Sequence, residues 1–181
     1  MMKKAAVMLP AAVAVLALWS GAPVSARGRD FLARFEGGIG VHPVGSLVGP
    51  QNPDGSFQNV SQNIVRGVRP AGGAWRIDDL KATVDADGRI TVRGRGLVLA
   101  GGDRIGQSLQ LAIRATLICE ATTPFVEHTT AEQTQLDVNG DFRLDDQLFP
   151  VPTECASPVL LIRSAGNGTW LAAGLPKLQD E

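Results

Sequence analysis

The segment Leu109-Gln-Leu-Ala-Ile-Arg-Ala-Thr-Leu-Ile-Cys119 decides the fold class of this chain. Its apolar residues stand at every second position and share one face, whereas Gln110, Arg114 and Thr116 fall on the other. An alternation with a period of two is typical of a β-strand that buries one face. From Arg27 onward no long stretch keeps apolar residues at helical spacing, so the chain predicts an all-β fold.

Three short turn motifs separate further alternating stretches. They are Asp85-Ala-Asp-Gly88, Asp137-Val-Asn-Gly140 and Asn167-Gly168. Asp-Gly and Asn-Gly pairs favour tight hairpin turns because glycine adopts a positive φ at little cost. Further candidate strands span residues 30–35, 38–44, 63–68 and 95–100. Residues 45–62, rich in Pro, Gly, Asn and Gln, predict a long exposed loop. About eight to ten short strands in one domain predict an antiparallel β-sandwich or a small β-barrel.

The first 26 residues have the organisation of a secretory signal peptide. Two lysines form a basic start, residues 5–19 form an uncharged Ala/Val/Leu-rich run, and Val24-Ser-Ala26 fits the small-x-small cleavage rule. An uncleaved membrane anchor is the alternative, but a run of 15 residues is short for a span. We therefore predict cleavage after Ala26, a single β domain over residues 27–181, and residence in the periplasm or the extracellular medium.

The net charge bears on the class of partner. The chain has 17 Lys and Arg against 18 Asp and Glu, and cleavage after Ala26 would leave 15 against 18. Without an excess of positive charge there is no electrostatic basis for binding nucleic acid or an acidic membrane. We expect an envelope component or another unknown ligand as the partner, no nucleic acid, and no membrane span after signal cleavage.

Both cysteines, Cys119 and Cys155, follow the predicted signal. Because exported proteins fold in an oxidising environment, we predict one disulfide between them. The alternative is a catalytic thiol partnered by a histidine such as His128, but neither cysteine lies in a recognisable nucleophile motif.

Aromatic and imidazole side chains are candidates for a ligand surface. Trp75 lies beside Gly72-Gly73 in a predicted loop, which favours an exposed aromatic side chain, whereas Trp170 belongs to an alternating stretch and is expected in the core. His42 and His128 are the two histidines of the chain; an acid–base or metal pair is one interpretation and ordinary loop positions are the other. We take Trp75, His42 and His128 as the possible ligand surface.

Acidic residues suggest two kinds of site. Oxygen ligands stand in two of the predicted turns, at Asp85, Asp87, Asp137, Asn139 and Asp141. Neither turn has the alternating ligands and closing Glu of a helix-loop-helix calcium loop, so hydrogen bonds to the turn backbone are the simpler interpretation, and we expect no metal or cofactor. The pairs Asp78-Asp79 and Asp145-Asp146 would suit a carboxylate-dependent secreted hydrolase if two of the carboxylates converged.

Three segments together resemble a group of small exported bacterial proteins. They are Ala33-Arg-Phe-Glu-Gly-Gly-Ile-Gly-Val-His-Pro-Val44, Gly94-Arg-Gly-Leu-Val-Leu-Ala-Gly-Gly102, and the stretch from Val159-Leu-Leu-Ile-Arg-Ser-Ala165 through Pro176-Lys177. The resemblance implies export from a bacterial cell, and it carries no activity and no site residue to this chain.

The sequence contains no recognisable P-loop, nucleophile elbow or zinc-protease motif. We therefore expect a disulfide-stabilised, exported all-β protein with a non-catalytic binding or envelope-associated structural role. A carboxylate-dependent hydrolase is the alternative, and a calcium-stabilised module is a third interpretation.

Overall fold

A computed structural model describes residues 31–177, which form thirteen β-strands and no helix. The strands are β1 (Phe31–Gly40), β2 (Val44–Gln51), β3 (Phe57–Gln62), β4 (Trp75–Arg76), β5 (Asp79–Asp85), β6 (Arg89–Arg95), β7 (Val98–Leu99), β8 (Ala112–Ile118), β9 (His128–Thr130), β10 (Thr134–Gln135), β11 (Phe142–Phe149), β12 (Val159–Ser164) and β13 (Trp170–Pro176). No helix in this range is long and apolar enough to cross a membrane. The predicted signal peptide lies outside the described residues.

Eight of the strands close into an antiparallel barrel. Their order is β8-β12-β13-β1-β5-β6-β11-β9, and the pairing of β9 with β8 completes the circle. The short strand β10 also pairs with β8, at Ala112 and Ile113, whereas β9 pairs with β8 at Thr116 and Leu117. β9 and β10 therefore lie along the same edge of β8 and together fill one strand position of the barrel. Of the two architectures that the sequence allows, the described residues therefore form the small barrel.

Side chains of alternating residues fill the inside of the barrel. β8 contributes Ile113, Ala115 and Leu117, which are fully buried. Ala115 and Leu117 lie opposite the buried residues Ile162 and Leu160 of β12. An eight-stranded barrel has an interior just wide enough for such side chains. Cys119 continues this face and forms the predicted disulfide with Cys155.

Two of the three predicted turns connect paired strands. β5 and β6 pair across Asp85–Gly88, where the Gly88 N–H donates to the Asp85 carbonyl oxygen at 2.9 Å. β12 and β13 pair across Asn167-Gly168. At Asp137–Gly140 the turn forms as predicted, with a 3.1 Å hydrogen bond between its end residues. The arm before it, β10, pairs with β8 instead of returning along β11.

The strand that decided the fold is shorter than predicted. Leu109 and Gln110 have φ of 55° and 47°, in the left-handed region, so β8 begins only at Ala112. The Ser108 hydroxyl donates to the Asp137 carbonyl oxygen at 2.6 Å and accepts the Gln110 N–H at 3.1 Å. These local bonds hold a turn at a place where alternation alone predicts a strand.

Residues 45–62 are exposed, as predicted, but they form a hairpin of β2 and β3 instead of a loop. At its tip the N–H and hydroxyl groups of Ser56 donate to Asp54 Oδ1 at 2.9 and 2.6 Å. The prediction of a loop is wrong because the two backbones pair without needing a buried apolar face, so the polar composition concealed the strands.

The other candidate strands have mixed outcomes. Residues 63–68 make a tight turn rather than a strand, because Arg66 and Gly67 have φ of 46° and 84°. The candidate strand 95–100 is not continuous: Arg95 ends β6, and Val98–Leu99 form β7, which pairs with β4. Residue 30 lies outside the described residues, but 31–35 and 38–40 of the two candidates belong to one strand, β1, which has a register shift between Phe35 and Gly38. Val44 begins β2.

Candidate functional site

Two rows of outward-facing side chains cross β1, β5, β6 and β11. In register, the first row is Glu36, Lys81, Arg93 and Arg143, and the second is Arg34, Thr83, Thr91 and Asp145. We call Lys81, Arg93 and Arg143 the basic row. Because neighbouring strands lie about 4.8 Å apart, the basic row places three cations along roughly 10 Å of the barrel wall.

Two cations of the basic row have no anionic partner in the described residues. Lys81 Nζ lies 4.0 Å from Glu36 Oε1, whereas the guanidinium groups of Arg93 and Arg143 make no ion pair or hydrogen bond within residues 31–177. Like charges directly opposite each other on neighbouring strands destabilise a sheet. The row therefore has a cost in stability that an external anion would reduce.

A groove of about 410 Å³ lies beside the basic row, over β1, β5 and β6. Its charged lining consists of four cations and one carboxylate, namely Arg34, Lys81, Arg93, Lys177 and Glu36. Thr83 and Thr91 add two hydroxyl groups, and neither makes a side-chain hydrogen bond to another described residue. The Arg34 guanidinium stacks on Phe31, 3.6 Å from the ring centroid, which adds an apolar contact surface. The groove thus combines positive charge with hydroxyl groups.

Lys177 sets the ionisation of the one carboxylate in this groove. Its Nζ lies 2.9 Å from Glu36 Oε2. The hydrogen bond from Lys177, and then its charge, lower the pKa of Glu36 below the usual carboxyl value. Glu36 therefore stays ionised and offsets part of the positive charge of Lys177 and Lys81, while Arg93 and Arg143 keep theirs.

The three residues predicted as a ligand surface lie in different settings. Trp75 is only 5% exposed, so the prediction of a surface aromatic is wrong. It belongs to β4, which pairs with β7, and its backbone N–H donates to the Val41 carbonyl oxygen at 2.9 Å. Its side chain is part of the hydrophobic core. Trp170 is 2% exposed, as predicted.

Neither histidine belongs to an acid–base or metal pair in the described part of the chain. His128 is 7% exposed, and its Nδ1 lies 2.6 Å from the Pro150 carbonyl oxygen. His42 is exposed, and its Nδ1 lies 3.2 Å from the Val44 carbonyl oxygen. Both rings thus have backbone partners.

The four carboxylates of the hydrolase alternative do not converge. Asp79 lies opposite Arg95 and Asp145 opposite Thr91, four residues apart along β6, which is at least about 13 Å. Glycosidases that invert configuration use carboxylates roughly 6.5 to 9.5 Å apart, and retaining ones use shorter distances. Asp78, Asp79 and Asp145 instead pair with arginines, and Asp146 Oδ2 accepts the Glu132 N–H at 2.8 Å.

The acidic turn residues bind their own backbone. Asp87 Oδ1 accepts the Arg89 N–H at 3.0 Å, and Asp137 Oδ1 accepts the N–H groups of Asn139 and Asp141 at 2.7 and 2.9 Å. Between Phe31 and Lys177 there is no group of three or more acidic, histidine or cysteine side chains that could hold a metal ion. Turn formation accounts for these residues.

The basic row was missed by sequence reasoning, although a signal for it was present. Lys81 and Arg93 stand at the polar positions of the two alternating arms around Asp85–Gly88, and Arg143 stands at a polar position after Asp137–Gly140. Total charge concealed them, because the acidic residues that balance these cations are spread over the whole molecule. Finding the row also requires the order of the strands in the barrel, and that order did not follow from composition.

No family model matches the chain, and neither curated proteins nor solved structures provide a significant match.

Proposed function

We propose that this protein is an exported, non-catalytic binding protein that holds an acidic polysaccharide of the cell envelope on the outer wall of its barrel. The observation that supports this proposal is the basic row, in which Arg93 and Arg143 have no partner within residues 31–177. The Cys119–Cys155 disulfide is compatible with an oxidising, exported location.

The shape of the site favours a polymer over a single small ion. Three cations in a line about 10 Å long match a chain that carries repeated negative charges, and an open wall accepts an extended ligand. The second row places the hydroxyl groups of Thr83 and Thr91 next to these cations, where they can bind sugar hydroxyl groups. Charge and hydroxyl groups together favour an acidic polysaccharide over nucleic acid, for which an open aromatic stacking platform would be expected, because the Phe31 ring in the groove is covered by the Arg34 guanidinium.

Neutralising the basic row is expected to weaken polysaccharide binding. Each of Arg93→Gln and Arg143→Gln should raise the Kd for a defined oligogalacturonate about 2- to 5-fold at low salt, since an exposed charge pair contributes about 0.4 to 1 kcal/mol. The double variant should have a larger effect and a weaker dependence of affinity on salt. Isothermal titration calorimetry measures both.

Arg104→Gln is the matched control. Arg104 is exposed, does not line the groove, and its side chain has no partner among the described residues. It removes the same charge elsewhere and should leave the Kd unchanged. Equal losses in Arg104→Gln and Arg93→Gln would show a non-specific charge effect and contradict the proposal. Tighter binding of single-stranded DNA than of oligogalacturonate would contradict the assignment to a polysaccharide.

Removing the carboxylate of the groove is expected to act in the opposite direction. Glu36→Gln removes the carboxylate that pairs with Lys81 and Lys177, so the affinity for dextran sulfate, whose sulfates stay charged, should rise about 2- to 5-fold at neutral pH. Because Lys177 lowers the pKa of Glu36, the wild-type protein should show the same gain only when the pH falls below the ordinary carboxyl range. A binding titration at several pH values checks both outcomes; a fall in affinity in Glu36→Gln would contradict this account of the groove.

A further inference from the structure

We infer a second ligand site, for a single carboxylate group, on the outer wall between β8 and β12. Arg114 of β8 and Arg163 of β12 lie directly opposite each other in the register of this strand pair. In the order around the barrel these two strands stand three or four positions from β5 and β6. The residues that line the cavity at Arg114 and Arg163 are all different from those that line the groove beside the basic row, so the two sites are separate. Two cations are thus brought together at a place that the proposed polysaccharide surface does not use.

The two arginines differ in how their hydrogen bonds are satisfied. Arg163 is well bonded: its Nε donates to the Gly168 carbonyl oxygen at 2.7 Å, and its Nη1 donates to Glu127 Oε2 at 2.5 Å and to Thr116 Oγ1 at 3.4 Å. Its side chain is 16% exposed. Arg163 is therefore a fixed part of the wall.

Arg114 has a donor without an acceptor. Its Nε is buried and has no hydrogen-bond partner in the described part of the molecule. A buried donor that lacks an acceptor has lost water without gaining a bond, and such groups are rare in folded proteins. Arg114 also stands beside the cation of Arg163, which adds like-charge repulsion. A ligand anion at the Arg114 guanidinium offsets this repulsion, and it supplies the acceptor that Nε lacks once the side chain turns to face it.

A cavity of about 220 Å³ is available for that ligand. Arg114, Arg163 and Glu127 line it and together carry one net positive charge, which a monoanion neutralises and a phosphate dianion exceeds. The planar fork of a guanidinium matches the two oxygens of a carboxylate. The side chains of Thr129 and Ser164 also line the cavity, and their hydroxyl groups suit a hydroxylated ligand body. The chemistry therefore fits a small hydroxy acid or the carboxylate end of a larger molecule.

The test follows the Arg114 side chain directly. The ¹⁵N-labelled protein is titrated with acetate, glycolate or phosphate at constant ionic strength, and the arginine Nε–H signals are recorded by NMR, with the Arg114 signal assigned by its loss in Arg114→Lys. We expect a saturable shift of the Arg114 Nε–H signal with acetate and glycolate and a weaker response to phosphate. In the Arg104→Lys control this response should be unchanged. No saturable shift, an equal response to phosphate, or an equal shift of the Arg104 signal would overturn the site.

Thermal unfolding provides a second, independent measurement. Arg114→Met keeps much of the side-chain volume but removes the unsatisfied donor, so its Tm without added ligand should equal or exceed that of the wild-type protein. Acetate should raise the Tm of the wild-type protein and leave that of Arg114→Met unchanged. A Tm of Arg114→Met below the wild-type value would assign Arg114 a structural role and contradict the inference.

Discussion

Reduction of the Cys119–Cys155 disulfide is expected to lower the free energy of unfolding by about 4 kcal/mol, because the bond closes a segment of 36 residues in the unfolded chain. Urea unfolding of the protein with and without reductant, followed by tryptophan fluorescence, measures this difference. Trp75 and Trp170 are both buried, so the signal reports on the barrel. Substituting both cysteines by serine should give a similar loss.

The reduced protein should still fold, since a second link joins the same two segments. The Arg66 guanidinium donates to the carbonyl oxygens of Ile118 and Ser157 at 3.3 and 2.7 Å, and also to that of Glu120. Arg66→Gln removes this link without touching the disulfide and serves as the comparison. A stability that is unchanged on reduction would contradict the role given to the disulfide.

Substitution of Gly140 by alanine is expected to destabilise the protein by about 2 to 5 kcal/mol. Gly140 has a φ of 82°, which costs an L-residue about 1 to 2 kcal/mol. A Cβ at this position would also overlap the backbone of Leu97, whose N–H donates to the Gly140 carbonyl oxygen at 3.0 Å. Forcing such a contact apart adds about 1 to 3 kcal/mol.

Gly102 provides a matched control for the steric part of this effect. Its φ is 81°, nearly the same as that of Gly140, but a Cβ there would meet nothing within 4 Å. Gly102→Ala should therefore lose only the conformational contribution, and the difference between the two variants measures the contact with Leu97. Urea unfolding of both variants gives this comparison. Equal losses would show that Gly140 does not need to approach Leu97 closely.

The fold class could be predicted because alternation and turn chemistry are local. The buried face of β8 and the turns at Asp85–Gly88 and Asn167-Gly168 need only neighbouring residues to form, and all three are confirmed. The closure of the barrel depends on which strands meet at long range, so the sequence left sandwich and barrel equally open. The prediction at Trp75 failed because β4 has only two residues and its partner β7 also has two, which is too short for a periodic pattern in the sequence.

The candidate site was less predictable than the fold, for a related reason. The cations of the basic row stand on three different strands, so their alignment exists only once β5, β6 and β11 are paired in register. The pair Arg114 and Arg163 likewise requires β8 and β12 to be neighbours. No short sequence motif indicates either the basic row or the pair of Arg114 and Arg163.

Mapping of the polysaccharide contact by NMR tests the central proposal most directly. Backbone amide signals of the ¹⁵N-labelled protein are followed while oligogalacturonate is added at low salt. We expect saturable shifts centred on β5, β6 and β11 around Lys81, Arg93 and Arg143, and no such shifts in the exposed β2–β3 hairpin. Shifts centred on another part of the barrel, or no saturable shift at all, would contradict the proposal that this wall is the binding surface.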